Sequence, residues 1–277
     1  MSLITPHDLD ALIRSDAPPV VLDVRWRLDA PDGRPAFREG HIPTAQYVSL
    51  DDDLAAHGAP TDGRHPLPDP AALQEAARRW GLGEGDAVVV YDDWMSFGAS
   101  RAWWSLADAG VDVRVLDGGL AAWRDAGLAL EQGDATPPSP GDVTLQPGRF
   151  ARLSMDEAGD LARTGVLLDV RAGERYRGEV EPLDPRAGHI PGALSASTAE
   201  NNDAAGRLLP ADALRVRFAA LGVRPGEAVG VYCGSGVSAS HAALALTVAG
   251  FTPALYAGSW SQWSNHPDRP VAMGAQP

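Results

Sequence analysis

The sequence predicts an α/β fold in two tandem copies, each a mainly parallel sheet flanked by helices. Three observations predict it. Short motifs recur in order along the chain, apolar runs of about five residues recur with them, and helix-like stretches that stop at glycine lie between.

The repeated motifs come first. Leu22-Asp23-Val24-Arg25 returns as Leu168-Asp169-Val170-Arg171, and Gly40-His41-Ile42-Pro43 returns as Gly188-His189-Ile190-Pro191. Val88-Val89-Val90-Tyr91-Asp92 is echoed by Val229-Gly230-Val231-Tyr232-Cys233. Leu116-Asp117-Gly118-Gly119-Leu120, with Trp123, is echoed by Tyr256-Ala257-Gly258-Ser259-Trp260, with Trp263. The offsets are 146, 148, 141 and 140 residues, as expected of a duplicated gene. A chain of 277 residues suits two domains of ordinary size. We expect them at 1–133 and 150–277. Between them, 134–149 begins Asp134-Ala135-Thr136-Pro137-Pro138-Ser139-Pro140-Gly141 and reads as a stiff, exposed linker.

The elements follow the same alternation. Val166–Val170 and Ala228–Tyr232 are apolar on both faces, as buried parallel strands are. Pro210–Gly222 reads as a helix closed by glycine, and Ser240–Gly250 as a buried helix with the same stop.

Composition narrows the function. A net charge of −14, with every one of the 23 basic residues an arginine, argues against a nucleic-acid partner. It also requires that any bound anion be held by arginine, backbone N–H groups or helix ends. The chain has no apolar run of membrane-spanning length and its first residues lack a secretory signal, so no membrane partner and a cytoplasmic location are expected. One cysteine forms no internal disulfide, and the scattered histidines show no ligand spacing, so neither a metal nor a cofactor is expected.

The chemistry centres on that cysteine. Cys233-Gly234-Ser235-Gly236-Val237-Ser238 joins an expected strand to an expected helix, the place where open α/β sheets bind ligands. Its glycines let successive N–H groups turn inward, and the helix adds its positive end, so the loop suits an anionic sulfur. A cysteine phosphatase would need an arginine six residues after the cysteine, where Ala239 stands.

This loop, the paired Gly-His-Ile-Pro motifs and Tyr256–Trp263 resemble the rhodanese family of sulfurtransferases in its tandem form, over nearly the whole chain. The resemblance implies a silent first domain, where Asp92 replaces the cysteine, and a catalytic second domain. Within the family, Cys-Gly-Ser-Gly-Val followed by a hydroxyl residue is similar to members that prefer 3-mercaptopyruvate, whereas thiosulfate-preferring members carry basic residues there. The resemblance thus implies transfer of a sulfane sulfur from 3-mercaptopyruvate through a Cys233 persulfide to cyanide or a thiol. The acceptor would be a small molecule or a protein, thioredoxin-like proteins included. A thiosulfate:cyanide sulfurtransferase is the nearest alternative; a non-catalytic rhodanese-like binding or regulatory module is the alternative of another class.

The resemblance also assigns residues. Ser235, His65 and Asp51 would assist Cys233 in catalysis, the latter two supplied by the first domain, with the register of Asp51 soft beside Asp52 and Asp53. Arg175 and Arg186 would bind the donor's carboxylate, together with Gly234, Gly236, Val237 and Ser238 of the loop. His41 and His189 occur in both copies, so we expect them to hold a turn. The tryptophans are expected to pack cores.

Overall fold

The computed structural model describes residues 2–277. The described chain divides into two compact units: 2–56, 67–149 and 204–207 form the first, and 57–66, 150–203 and 208–277 the second.

In the first unit, strands β1 (Leu3–Ile4), β2 (Val20–Asp23), β3 (Gln46–Tyr47), β4 (Ala87–Tyr91) and β5 (Asp112–Leu116) form a parallel sheet in the order β1-β5-β4-β2-β3. Helices α1 (Pro6–Ile13), α2 (Arg34–Glu39), α3 (Leu50–Asp53), α4 (Pro70–Arg79), α5 (Phe97–Asp108) and α6 (Gly119–Asp125) connect them. Local chemistry sets the starts: Thr5 accepts the Asp8 N–H at 3.2 Å and Asp69 accepts the Ala71 N–H at 2.8 Å, each followed by proline at the first helical position. One core joins Leu9, Val21, Val89, Tyr91 and Trp123. The segment 134–149 is mostly exposed but is tied to the first unit. Val143 is buried and donates to Leu82 O at 3.2 Å, and Arg78 Nε returns a bond to Val143 O at 2.9 Å, because the turn after α4 leaves carbonyls to satisfy.

The second unit repeats the plan. Strands β6 (Ala151–Arg152), β7 (Val166–Asp169), β8 (Leu194–Ser195), β9 (Val229–Tyr232) and β10 (Pro253–Leu255) pair in parallel in the order β6-β10-β9-β7-β8. Helices α7 (Met155–Thr164), α8 (Gly173–Tyr176), α9 (Ala211–Ala220), α10 (Val237–Val248) and α11 (Ser259–Ser264) accompany them. Ser154 and Glu157 form a reciprocal cap on α7. Gly230 interrupts the apolar run of β9 for a steric reason: a Cβ there would stand 2.7 Å from Leu161 Cδ2 and 2.8 Å from Leu153 Cδ1.

The duplicated motifs build the same frame twice. Arg25 forks onto Asp23 and reaches Gly40 O at 2.9 Å; Arg171 forks onto Asp169 and reaches Gly188 O at 2.6 Å. The Tyr91 hydroxyl accepts the Ile42 N–H at 3.0 Å, as Tyr232 accepts that of Ile190 at 3.1 Å. His41 Nδ1 bonds Phe37 O and His189 Nδ1 bonds Tyr176 O, each ring stacked at 3.8 Å on the aromatic side chain. Both histidines are buried and tie their turns. Trp103, Trp104, Trp123, Trp260 and Trp263 are buried as well.

Candidate active site

At the carboxyl end of β9 the chain turns through Cys233–Gly236 into α10. Gly236 takes φ 84°, a left-handed conformation open to glycine, and its N–H donates to Cys233 Sγ at 3.1 Å. An N–H donor of this kind, at the start of a twelve-residue helix, stabilises negative charge on sulfur. Cys233 N donates to Ser259 Oγ at 3.1 Å, while Trp260 N and Ser261 N donate to the carbonyls of Cys233 and Gly234 at 2.9 and 2.8 Å. Ser259 holds φ 54°, a strained value for a side-chain-bearing residue, and its hydroxyl also donates to Tyr256 O. The loop is thereby clamped from the start of α11.

Ser235 is buried within the loop and its Oγ lies 2.7 Å from His65 Nδ1. His65 comes from segment 57–66, which the structure groups with the second unit. The same segment is anchored there by Arg64 N, which donates to Ser261 Oγ at 3.0 Å, and by Thr61 O, 3.0 Å from His266 Nε2.

Two arginines stand over the next residue. A Cβ built on Gly234 would lie 3.1 Å from Arg64 Nη2 and 3.3 Å from Arg175 Nη1. Arg175 is positioned by Glu181 Oε1 at 2.7 Å and Asp184 Oδ2 at 3.3 Å, and Arg64 pairs with Asp184 Oδ1. Neither Nε finds a partner among the described residues. Burial pushes the Asp184 carboxyl above its ordinary value, against the pull of Arg64 and Arg175.

The structure thus gathers Cys233, Gly234, Ser235, Gly236, His65 and Arg175 in one place, with Val237 and Ser238 opening α10 beside them. Arg186 is engaged elsewhere: its guanidinium donates to the carbonyls of Ser264, Trp263, His266 and Arg269 at 2.6–2.9 Å and ties down the turn after α11. Asp51 belongs to the first unit, where it accepts the Trp26 indole N–H at 3.0 Å. Sequence reasoning passed over Arg64, Glu181, Asp184 and Ser259. Arg64 alone carried a signal, as a charge beside the candidate histidine in a glycine- and proline-rich stretch.

The corresponding loop of the first unit holds Asp92 instead of cysteine. Its carboxylate accepts the N–H groups of Trp94, Ser96 and Ala99 at 2.9, 3.0 and 3.1 Å. Burial nonetheless pushes its pKa up to about 7.

A model of the rhodanese-like domain matches residues 5–126 and again 154–266. The chain belongs to the rhodanese family. Among rhodanese relatives, a Pseudomonas aeruginosa protein provisionally named a 3-mercaptopyruvate sulfurtransferase is 48% identical over 282 residues, covering 98% of each chain. A Mycobacterium tuberculosis protein provisionally named thiosulfate sulfurtransferase SseB is 47% identical over 278 residues, covering 98% of this chain and 97% of its own. The crystal structure of the Escherichia coli 3-mercaptopyruvate sulfurtransferase SseA superposes with a TM-score of 0.83 at 30% identity, covering 94% of this chain and 99% of that one.

Proposed function

We propose that this rhodanese is a sulfurtransferase that takes sulfur from 3-mercaptopyruvate onto Cys233 and delivers it to a thiophilic acceptor. The observation that carries this reading is the Cys233 loop itself. Sγ accepts the Gly236 N–H, Ser235 is in contact with His65, and two guanidinium groups face Gly234.

The cycle is ping-pong. Cys233 thiolate attacks the donor sulfur, forming the S–S bond as the C–S bond breaks, and the electron pair leaves with pyruvate as its enolate. Arg175 receives the donor carboxylate in its planar fork. Ser235, in contact with His65, passes a proton to the enolate carbon. The Cys233 persulfide then gives its outer sulfur to cyanide, releasing thiocyanate, or to a thiol, releasing a new persulfide, and the Cys233 thiolate returns. Asp92 has no sulfur to offer, so turnover belongs to the second unit. No helix among the described residues is long and apolar enough to cross a membrane.

A thiosulfate donor is the second reading, favoured by the name of the Mycobacterium tuberculosis relative and by the two arginines. Steady-state transfer to cyanide from each donor on one preparation tests both. A higher kcat/KM with mercaptopyruvate supports the first reading. A higher value with thiosulfate replaces the donor and keeps Cys233, and turnover with neither overturns sulfur transfer.

A further inference from the structure

The charges around Gly234 are balanced in an unusual way. Arg64 and Arg175 are the guanidinium groups that approach Gly234 from opposite stretches of the chain, and both share Asp184, whose side chain is only 2% exposed. Glu181, 4% exposed, holds Arg175 from the other side and also reaches Arg171 at 3.3 Å. Arg171 is itself committed to Asp169. Three arginines therefore stand with three carboxylates, and the cluster sums to zero although its outer groups are cations. Asp184 bridges the two guanidinium groups as a ligand's carboxylate would, and its charge is fixed in the protein.

We infer that the Asp184–Arg64 pair is a specificity determinant: Asp184 withholds positive charge from the Cys233 loop, so that the site favours a singly charged sulfur donor over a doubly charged one. A carboxylate a few ångströms behind two arginines cancels much of their attraction for any incoming anion, and the cancellation counts twice for a dianion. Arg64 opposes that effect and retains enough attraction for one carboxylate. Arg175 is the second guanidinium, so the local field depends on how Asp184 is divided between them.

This rests on the sulfurtransferase reading for its donors, and the test separates the two. Asp184→Asn is expected to raise the ratio of kcat/KM for thiosulfate to that for mercaptopyruvate by about three- to tenfold, the effect of one partly screened charge. Arg64→Gln is expected to lower the same ratio, and it reads the field from the other side should the asparagine variant not fold. A readout free of sulfur transfer is alkylation of the single Cys233 by iodoacetate, an anion, against neutral iodoacetamide. Asp184→Asn should raise the ratio of the two rates and Arg64→Gln should lower it. A merely structural role would change both reagents alike. If the wild-type protein transfers sulfur and neither ratio moves, or both variants move them the same way, the inference falls and the function stands. If the alkylation ratios move as stated while neither donor is used, the charge assignment stands and the sulfurtransferase reading falls.

Discussion

His65 Nδ1 stands 2.7 Å from Ser235 Oγ, which joins residues 170 positions apart in sequence directly beside Cys233. Both side chains can carry a proton, so the contact can serve proton transfer.

Removing that hydroxyl gives the first prediction. Ser235→Ala is expected to lower kcat with mercaptopyruvate by about a hundredfold, within the range of general acid–base assistance, while KM changes little. His65→Asn should follow in the same direction. Steady-state kinetics decide it, and an unchanged kcat in Ser235→Ala takes the pair out of the proton path.

Arg186 gives the second. Its guanidinium serves four backbone carbonyls, so Arg186→Met leaves several acceptors without a charged donor. A loss of about 3 kcal/mol in urea unfolding is expected. At temperatures where the variant stays folded, its donor KM should match the wild type. A raised KM with unchanged stability would reassign Arg186 to donor binding.

Arg175 and Arg186 show where the sequence was legible and where it was not. β7 and β9 announced themselves as runs apolar on both faces, and the duplicated Asp-Val-Arg and Gly-His-Ile-Pro motifs announced a repeated frame because each closes its bonds within its own unit. α10 starts at Val237, three residues before the expected Ser240, because the left-handed Gly236 begins it without a side-chain cap. β1, β6 and β10 are two or three residues long, too short to show any period. In the site, Ser235 and Arg175 lie on the loop and the strand-following segment that pattern reading reaches. Arg64 reaches Gly234 only through the fold, and Arg186, nearer in sequence to Arg175, is drawn away by carbonyls that only the fold assembles.

Asp92 gives a prediction in pH. Its carboxyl titrates near pH 7 in the folded state against an ordinary value of 3.8, so the folded chain holds a proton that the unfolded chain has released. Stability from this group is therefore full below about pH 4 and is lost as pH rises through 7, by at most about 4 kcal/mol. Unfolding midpoints between pH 5 and pH 8 should fall for the wild type more steeply than for Asp92→Asn. Parallel curves for the two proteins would rule the assignment out.

His241 predicts the opposite slope in the second unit. It is fully buried, with Nδ1 2.8 Å from Thr198 Oγ1, and burial pushes its pKa down to about 3 from 6.5. Below pH 6.5 the unfolded chain takes a proton that the folded one refuses, so stability falls with acid toward pH 3, by at most about 5 kcal/mol. His241→Gln, which keeps hydrogen-bonding capacity without titrating, should flatten the acid side of the stability profile. If acid unfolding of that variant tracks the wild type, His241 titrates normally in the fold.

The carboxylate of Asp92, held by three backbone N–H groups, permanently fills the turn that in the second unit holds the Cys233 thiol. Duplication left one molecule carrying two versions of the same loop, one filled by its own carboxylate and one holding a thiol, where the proposed cycle would add and remove a sulfur atom. The filled copy supplies a reference for measurements on its twin: same chain, same frame, and a carboxyl group covalently fixed in place.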